Sequence, residues 1–85
     1  MKFENIIALI MAEIERAERL HPAWPGDVVK AAAIVAEEAG ETLQAANDYD
    51  ESRSGKSQVA TEAVHTAATA IRLLKNINLE GNGNE

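Results

Sequence analysis

Apolar residues recur at helical spacing through most of this 85-residue chain, and this periodicity constrains its fold more than any other feature. In the first segment, 3–20, apolar residues follow steps of three and four, while Glu13, Arg16 and Arg19 are left for water. No segment shows the strict alternation that is typical of a strand. The periodic positions of this segment are Phe3, Ile6, Ile7, Ile10, Ile14 and Ala17.

Two breaks divide the periodic pattern. The first, HPAWPG at 21–26, contains two prolines that lack an amide donor and disfavour helical torsions before them, and Asp27 is a good N-cap for the second helix. The second break, at 50–55, is polar and ends in glycine. The sequence therefore predicts an all-α domain at 1–79, followed by a flexible tail at 80–85. The predicted helices span about 3–20, 27–49 and 56–79.

The residues available for a core are few and small. The only aromatic residues are Phe3, Trp24 and Tyr49, whereas alanine is abundant, so the helices must pack closely. A domain of this length buries only about 60% of the surface that its unfolded chain exposes. We therefore expect three-helix protomers that complete four-helix bundles by forming a homodimer or homotetramer.

The charge and composition exclude several classes of partner. A formal net charge of −6 argues against a nucleic acid polymer, which requires a stripe of lysine and arginine. The chain has no cysteine, no apolar run long enough to cross a bilayer, and no N-terminal signal pattern. We therefore expect a cytoplasmic protein without a membrane partner.

Three glutamates, Glu37, Glu38 and Glu41, crowd one turn of the second predicted helix. Glu38 and Glu41 lie within roughly 60° of each other on the helix, in line with Ile34 and Ala45, so carboxylates interrupt an apolar stripe. Like charges one turn apart destabilise a helix, and burial makes an unpaired carboxylate far more costly. A bound cation would remove this conflict, although a run of charges can also be a solvated helical face.

The third predicted helix supplies a second pair of possible ligands, Glu62 and His65, again one turn apart. Several carboxylates with one imidazole suit Mg²⁺ or Mn²⁺, whereas Zn²⁺ usually takes thiolates or more histidines. We therefore predict a divalent metal site formed by Glu38, Glu41, Glu62 and His65. The alternative for His65 is an ordinary hydrogen-bonded helix residue.

A file of polar side chains continues from His65 along the same helix. Thr69, Arg72 and Asn76 stay within about 60° of its direction and extend roughly 16 Å toward the C-terminal end, a length that suits a polyphosphate. Arg72, Lys75 and Asn76 are the candidate phosphate ligands. Alternatively, the two cations simply complement the helix dipole.

Trp24 lies between two prolines in the first interhelical segment. There it can stack on a nucleotide base, as aromatic side chains do in nucleic-acid binding. It can equally cap the end of the core.

The segment EEAGE at 37–41, followed by EAVH at 62–65, resembles the E-E-x-x-E … E-x-x-D signature of MazG-like all-α nucleoside triphosphate pyrophosphatases. The segment 21–27 also looks like the loop of short, phage-type members. The resemblance implies that Glu37 and Glu38 are catalytic, Glu37 as a ligand or as the base for the attacking water. It implies metal ligands at Glu38, Glu41 and Glu62, while His65 departs from the aspartate of the signature.

The activity that the resemblance implies is metal-assisted attack of water on the α-phosphorus of a nucleoside triphosphate, giving the monophosphate and pyrophosphate. Mg²⁺ or Mn²⁺ would be the cofactor. The expected substrate is a ribo- or deoxynucleoside triphosphate in the cytoplasm of a bacterial or phage-infected cell. Some phage-type members of the family act on dGTP, so the resemblance suggests dGTP as one candidate. The alternative is a small, non-catalytic helical module whose acidic face binds a basic protein partner.

Overall fold

The structure is a computed structural model that describes residues 1–80, and these residues form three α-helices without any strand. Helix α1 spans Phe3–Leu20, α2 spans Val28–Asp50 and α3 spans Lys56–Asn76. The all-α prediction is therefore confirmed for this part of the chain. Of the tail predicted at 80–85, all but Glu80 lies outside the described residues.

Asp27 starts α2 as the sequence predicts. Its carboxylate accepts hydrogen bonds from the backbone N–H groups of Val29, at 2.8 Å, and Lys30, at 3.2 Å. These donors have no carbonyl partner within the helix, and an N-cap of this kind contributes about 1 kcal/mol. The cap fixes where α2 begins and therefore where its glutamates lie along it.

Helix α3 ends at Asn76, three residues before the predicted end at Leu79. Ile77 adopts extended torsions of φ −74° and ψ 133°. Beyond it, the side chain of Asn78 accepts a hydrogen bond from the backbone N–H of Glu80 at 3.0 Å. This local bond offers the backbone an alternative to another helical turn, so the apolar spacing of Ile77 and Leu79 overestimates the helix.

Helix α2 runs antiparallel to α3. The hydroxyls of Thr42 and Thr66 lie 2.9 Å apart near the middle of the pair, and residues from the start of α2 lie beside residues from the end of α3 in a shallow cavity. Ala45 and Ala68 are buried, with 4% and 1% of their surface exposed. Small side chains at these positions let the two helices approach closely.

Helix α1 packs on α3 and not on α2, so α3 is the central element. Two contacts define its direction: Glu13 lies against His65, and Glu18 forms an ion pair of 2.7 Å with Lys75. Because both numbers increase together, α1 and α3 run the same way. Side chains from α1 and α2 therefore approach α3 from different sides.

The buried core of residues 1–80 is very small. Its apolar members are three alanines, of which Ala31 is 4% exposed, and the single buried charged residue is Arg72, at 8%. By contrast, many large apolar side chains are exposed, on all three helices and on the residues beside α1 and α3. They are Met1, Phe3, Ile7, Leu9, Met11, Leu20, Val28, Val29, Leu43, Tyr49, Ile71, Leu74 and Leu79.

None of the helices in residues 1–80 combines the length and the apolar composition that crossing a bilayer requires. Glu38 and Glu41 interrupt α2, for example, and Glu13 and Arg16 interrupt α1.

Arg72 fastens the segment between α1 and α2 to the end of α3. One of its Nη atoms donates a hydrogen bond of 2.7 Å to the backbone carbonyl of His21. Its guanidinium also lies over the ring of Trp24, 5.0 Å from the centroid. Through these contacts, a buried cation organises a segment whose prolines would otherwise leave it with few partners.

Replacing Arg72 with methionine should lower the free energy of unfolding by about 2 kcal/mol, because the variant loses a charged hydrogen bond and the contact with Trp24. Urea denaturation at one fixed protein concentration measures this. The control is Lys75→Met, which breaks only the partly exposed pair with Glu18 and should cost at most about 1 kcal/mol. Equal stability of the two variants would show that Arg72 does not hold the segment.

Candidate metal centre

Three of the four predicted metal ligands come together between α2 and α3. Glu38 from α2 meets Glu62 and His65 from α3, and each offers one ligand atom within 4.8 Å of the other two. All three side chains are half-buried. The one-turn spacing of Glu62 and His65 places them on the same face of α3, and the antiparallel packing brings Glu38 opposite them.

A pair of threonines fixes α2 against α3 one turn beyond the glutamates. The hydroxyl of Thr42 donates to the backbone carbonyl of Glu38 at 3.2 Å, and that of Thr66 donates to the carbonyl of Glu62 at 2.9 Å. The hydroxyls are also 2.9 Å from each other. Each hydroxyl has one proton, so either can donate to the other in place of its backbone carbonyl. This hydrogen-bonded pair sets the register in which the two glutamates face each other.

The carboxylates of Glu38 and Glu62 each have a buried oxygen without a hydrogen-bond partner, Oε2 and Oε1 respectively. The other oxygen of Glu62 accepts a bond of 3.1 Å from Gln58. Burying a carboxylate oxygen without a donor is unfavourable, and either a hydrogen-bond donor or a cation would satisfy such oxygens. Two carboxylates and one imidazole fit Mg²⁺ or Mn²⁺ better than Zn²⁺.

The electrostatics of the site point in the same direction. Burial raises the pKa of the Glu38 carboxyl above its ordinary value, and the charge of Glu41 on the next turn raises it further. The charges of Glu62 and Glu13 add to this effect, while His65 opposes it. Glu38 is thus the carboxylate that most needs a neighbouring positive charge at neutral pH.

The other two glutamates of α2 lie outside this group of three. Glu41 is exposed and lines a shallow cavity of about 170 Å³ beside Gln58 and Glu62. Glu37 is exposed as well, about 100° around the helix from Glu38. Their predicted roles, as a ligand and as a ligand or base, stay predictions.

Glu13 is part of this site, although the apolar pattern of α1 predicted that it faces water. Its side chain is only 14% exposed, and its Oε1 lies 3.6 Å from Nε2 of His65. Arg16 binds both of its oxygens, at 2.8 and 2.6 Å, and this hydrogen bonding is the main reason why the pKa of Glu13 is lowered. The available signal was its position between Ile10 and Ala17, where an acidic residue interrupts an apolar stripe.

The predicted phosphate and base ligands lie at the other end of α3, roughly 10–16 Å from His65 along the helix. Trp24 and Asn76 both line a cavity of about 240 Å³ there. The guanidinium of Arg72 is engaged with Trp24 and a backbone carbonyl, and the ammonium of Lys75 is paired with Glu18. The structure therefore brings these four residues near one another and gives both cations partners within the chain.

Replacing Glu38 with glutamine should stabilise the metal-free protein increasingly as the pH rises from about 4 to about 7. A carboxyl whose pKa is raised in the folded state contributes stability below its unfolded pKa and loses that contribution as the pH rises through the folded value. The glutamine variant carries no such charge. Thermal unfolding in a chelator, with Glu15→Gln as the exposed control, measures the difference.

Mn²⁺ should reverse the order of stability in that experiment. The cation should raise the melting temperature of wild-type protein and of Glu15→Gln, but should have little effect on Glu38→Gln, which has lost a ligand charge. A pH-independent difference in chelator, or equal stabilisation of all three proteins by Mn²⁺, would contradict this description of Glu38.

Comparisons with protein families, with curated proteins and with solved structures found no match to this chain. The function of the chain is therefore inferred from the geometry of Glu38, Glu62 and His65 and from the side chains around them.

Proposed function

We propose that this chain is a metal-dependent nucleoside triphosphate diphosphatase of the MazG-like type. It would hydrolyse a nucleoside or deoxynucleoside triphosphate to the monophosphate and pyrophosphate. One observation carries the proposal: Glu38, Glu62 and His65, which occupy signature positions on two helices, have ligand atoms within 4.8 Å of one another. A solvated acidic face would not need this convergence or the buried, unpartnered oxygens.

The residues of the centre would divide the work between binding and proton transfer. Glu38, Glu62 and His65 would hold Mg²⁺ or Mn²⁺, with Glu41 as a further ligand from the next turn of α2. The imidazole at an otherwise acidic position favours Mn²⁺, which accepts nitrogen ligands well. The bound cation would lower the pKa of a water molecule and polarise the α-phosphoryl group. Glu37 is proposed as a ligand or as the base that accepts the proton of the attacking water.

The substrate would extend from this centre toward the C-terminal end of α3. Lys75 and Asn76 are proposed to bind the terminal phosphates. Arg72 is proposed to join them through an N–H group that its hydrogen bond to the carbonyl of His21 leaves free. Trp24 lines the cavity at that end and is proposed to contact the base. Among substrates, dGTP of a phage nucleotide-pool pathway is the one that the resemblance suggests.

Homodimers or homotetramers are part of the proposal, because the chain exposes so much apolar surface. Phe3 on α1 is 70% exposed, and Val29 and Leu43 on α2 are 77% and 63% exposed. Each square ångström of apolar surface removed from water contributes about 25 cal/mol. Pairing two three-helix protomers into four-helix bundles would bury such faces and supply the core that one chain lacks.

The rival function, an acidic module that binds a basic protein, fits the site less well. The side chains of Glu13 and Glu62 are only 14% and 15% exposed, so they are not available to a partner's lysines and arginines. Exposed carboxylates at Glu37 and Glu41 are all that such a partner would meet in this region. Surface ion pairs of that kind contribute little.

A nucleotide panel tests the proposed activity. The pure protein, incubated with each common ribo- and deoxynucleoside triphosphate and Mn²⁺, should release pyrophosphate from at least one of them. Glu62→Gln should lower the rate by at least about 100-fold, because the metal loses a charged ligand. Glu15→Gln, the same change at an exposed carboxylate on α1, should leave the rate within about threefold. No pyrophosphate from any triphosphate, with the helical circular dichroism intact, would exclude the proposed activity.

A further inference from the structure

We propose that Glu13 is a positioning residue for His65: it accepts a hydrogen bond from Nε2–H of the imidazole and so keeps Nδ1 directed toward Glu38 and Glu62. The inference rests on the proposed metal centre, since it treats His65 as a ligand of the cation. It adds α1 to a site that the signature assigns to α2 and α3 alone.

The imidazole of His65 lies between two carboxylates that belong to different helices. Nε2 is 3.6 Å from Oε1 of Glu13, and Nδ1 is 3.5 Å from Oε1 of Glu62. A hydrogen bond of this type spans about 2.7–3.2 Å, so a shift of a few tenths of an ångström closes either contact. A neutral imidazole carries one proton, and only the nitrogen without it can bind a cation.

The surroundings of the two carboxylates decide which one receives the proton. Arg16 binds both oxygens of Glu13 with short, charge-assisted bonds, so this carboxylate is fixed and can accept one more N–H. Turning it toward a cation would break the bonds to Arg16. Oε1 of Glu62, in contrast, is buried and has no hydrogen-bond partner. With a cation bound, Glu62 is therefore the ligand and Glu13 the hydrogen-bond acceptor.

This arrangement compensates for the departure of His65 from the acidic signature position. Imidazole brings no negative charge to the cation, but a carboxylate behind it increases its basicity and fixes its ring orientation. Glu13 supplies that carboxylate from α1, and Arg16 keeps it in place. Contacts from Arg16 to Glu13 and from Glu13 to His65 link the surface of α1 to the proposed metal centre.

The test compares Mn²⁺ affinities, measured by electron paramagnetic resonance of the free ion, in wild-type protein and three variants. Glu13→Ala should bind Mn²⁺ about 10- to 100-fold more weakly, the usual effect of removing a partner behind a histidine ligand. Glu13→Gln keeps an acceptor oxygen and should lose less affinity. Glu15→Ala removes an exposed carboxylate from the same helix and should stay within about threefold of wild type.

The tautomer of His65 provides a readout that a purely structural role would not change. Nitrogen–proton correlation spectra of the Mg²⁺-loaded protein should show the Nε2–H tautomer in wild type and in Glu15→Ala. Glu13→Ala should show a mixture of both tautomers, because the acceptor that selects one of them is gone.

Several outcomes would overturn the proposal, and they separate it from the proposed function. Wild-type affinity in Glu13→Ala, or an Nδ1–H tautomer in loaded wild-type protein, would reject the role of Glu13 while the metal centre stands. Failure of wild-type protein to bind Mn²⁺ would reject both. Absence of pyrophosphate release, with Mn²⁺ bound, would reject only the proposed activity. If Glu13→Ala lost its helical circular dichroism, the tautomer of His65 in the loaded wild-type protein decides, and an Nδ1–H tautomer there would overturn the proposal.

Discussion

Two carboxylates face each other across the interface of α2 and α3, and this unfavourable contact is the constraint on which the site depends. Each has a buried oxygen without a donor, and burial and neighbouring charges raise the pKa of Glu38. The hydrogen-bonded threonines one turn away keep the two helices in this register. The packing of α2 on α3 therefore holds two carboxylates close together, and a divalent cation would stabilise this pair. Functional sites commonly keep such locally unfavourable contacts at the expense of stability.

The alanine-rich interface explains how the residues of the candidate metal centre can come together. Alanines such as Ala45 and Ala68 let the helix axes come close, and glutamates on opposite helices can then reach the same point. The cost is a core without large side chains in residues 1–80, and therefore a protomer that leaves its large apolar residues in water. Arg72, stacked on Trp24, replaces part of that missing core at one end of α3.

The sequence was sufficient for features that depend on local spacing. Helix α1 has its predicted bounds, and Asp27 caps α2 as predicted. Glu38, Glu62 and His65 come together in the structure. Their grouping could be anticipated because residues one turn apart lie on the same face of a helix. The end of α3 was predicted too late, because apolar periodicity does not register the local hydrogen bond of Asn78. The helical periodicity of apolar residues could not predict features that depend on how the helices pack together.

Glu13 and Arg72 show why that second group could not be predicted. Glu13 was predicted to face water because it is not one of the apolar residues that recur at helical spacing, and only the packing of α1 on α3 brings it to His65. Arg72 was predicted to bind phosphate, but the path of the segment before α2 surrounds it with Trp24 and a backbone carbonyl. In both cases the deciding neighbour lies about 50 residues away in the sequence, beyond any helical periodicity.

The most direct measurement is a crystal structure grown with Mn²⁺ and recorded with X-rays at the manganese absorption edge. The proposed metal centre predicts an anomalous peak about 2.0–2.3 Å from carboxylate oxygens of Glu38 and Glu62 and from Nδ1 of His65. Glu13 should remain on Arg16, outside the coordination sphere. A map without a peak between α2 and α3, or with manganese only at exposed carboxylates such as Glu4 or Glu51, would contradict the account.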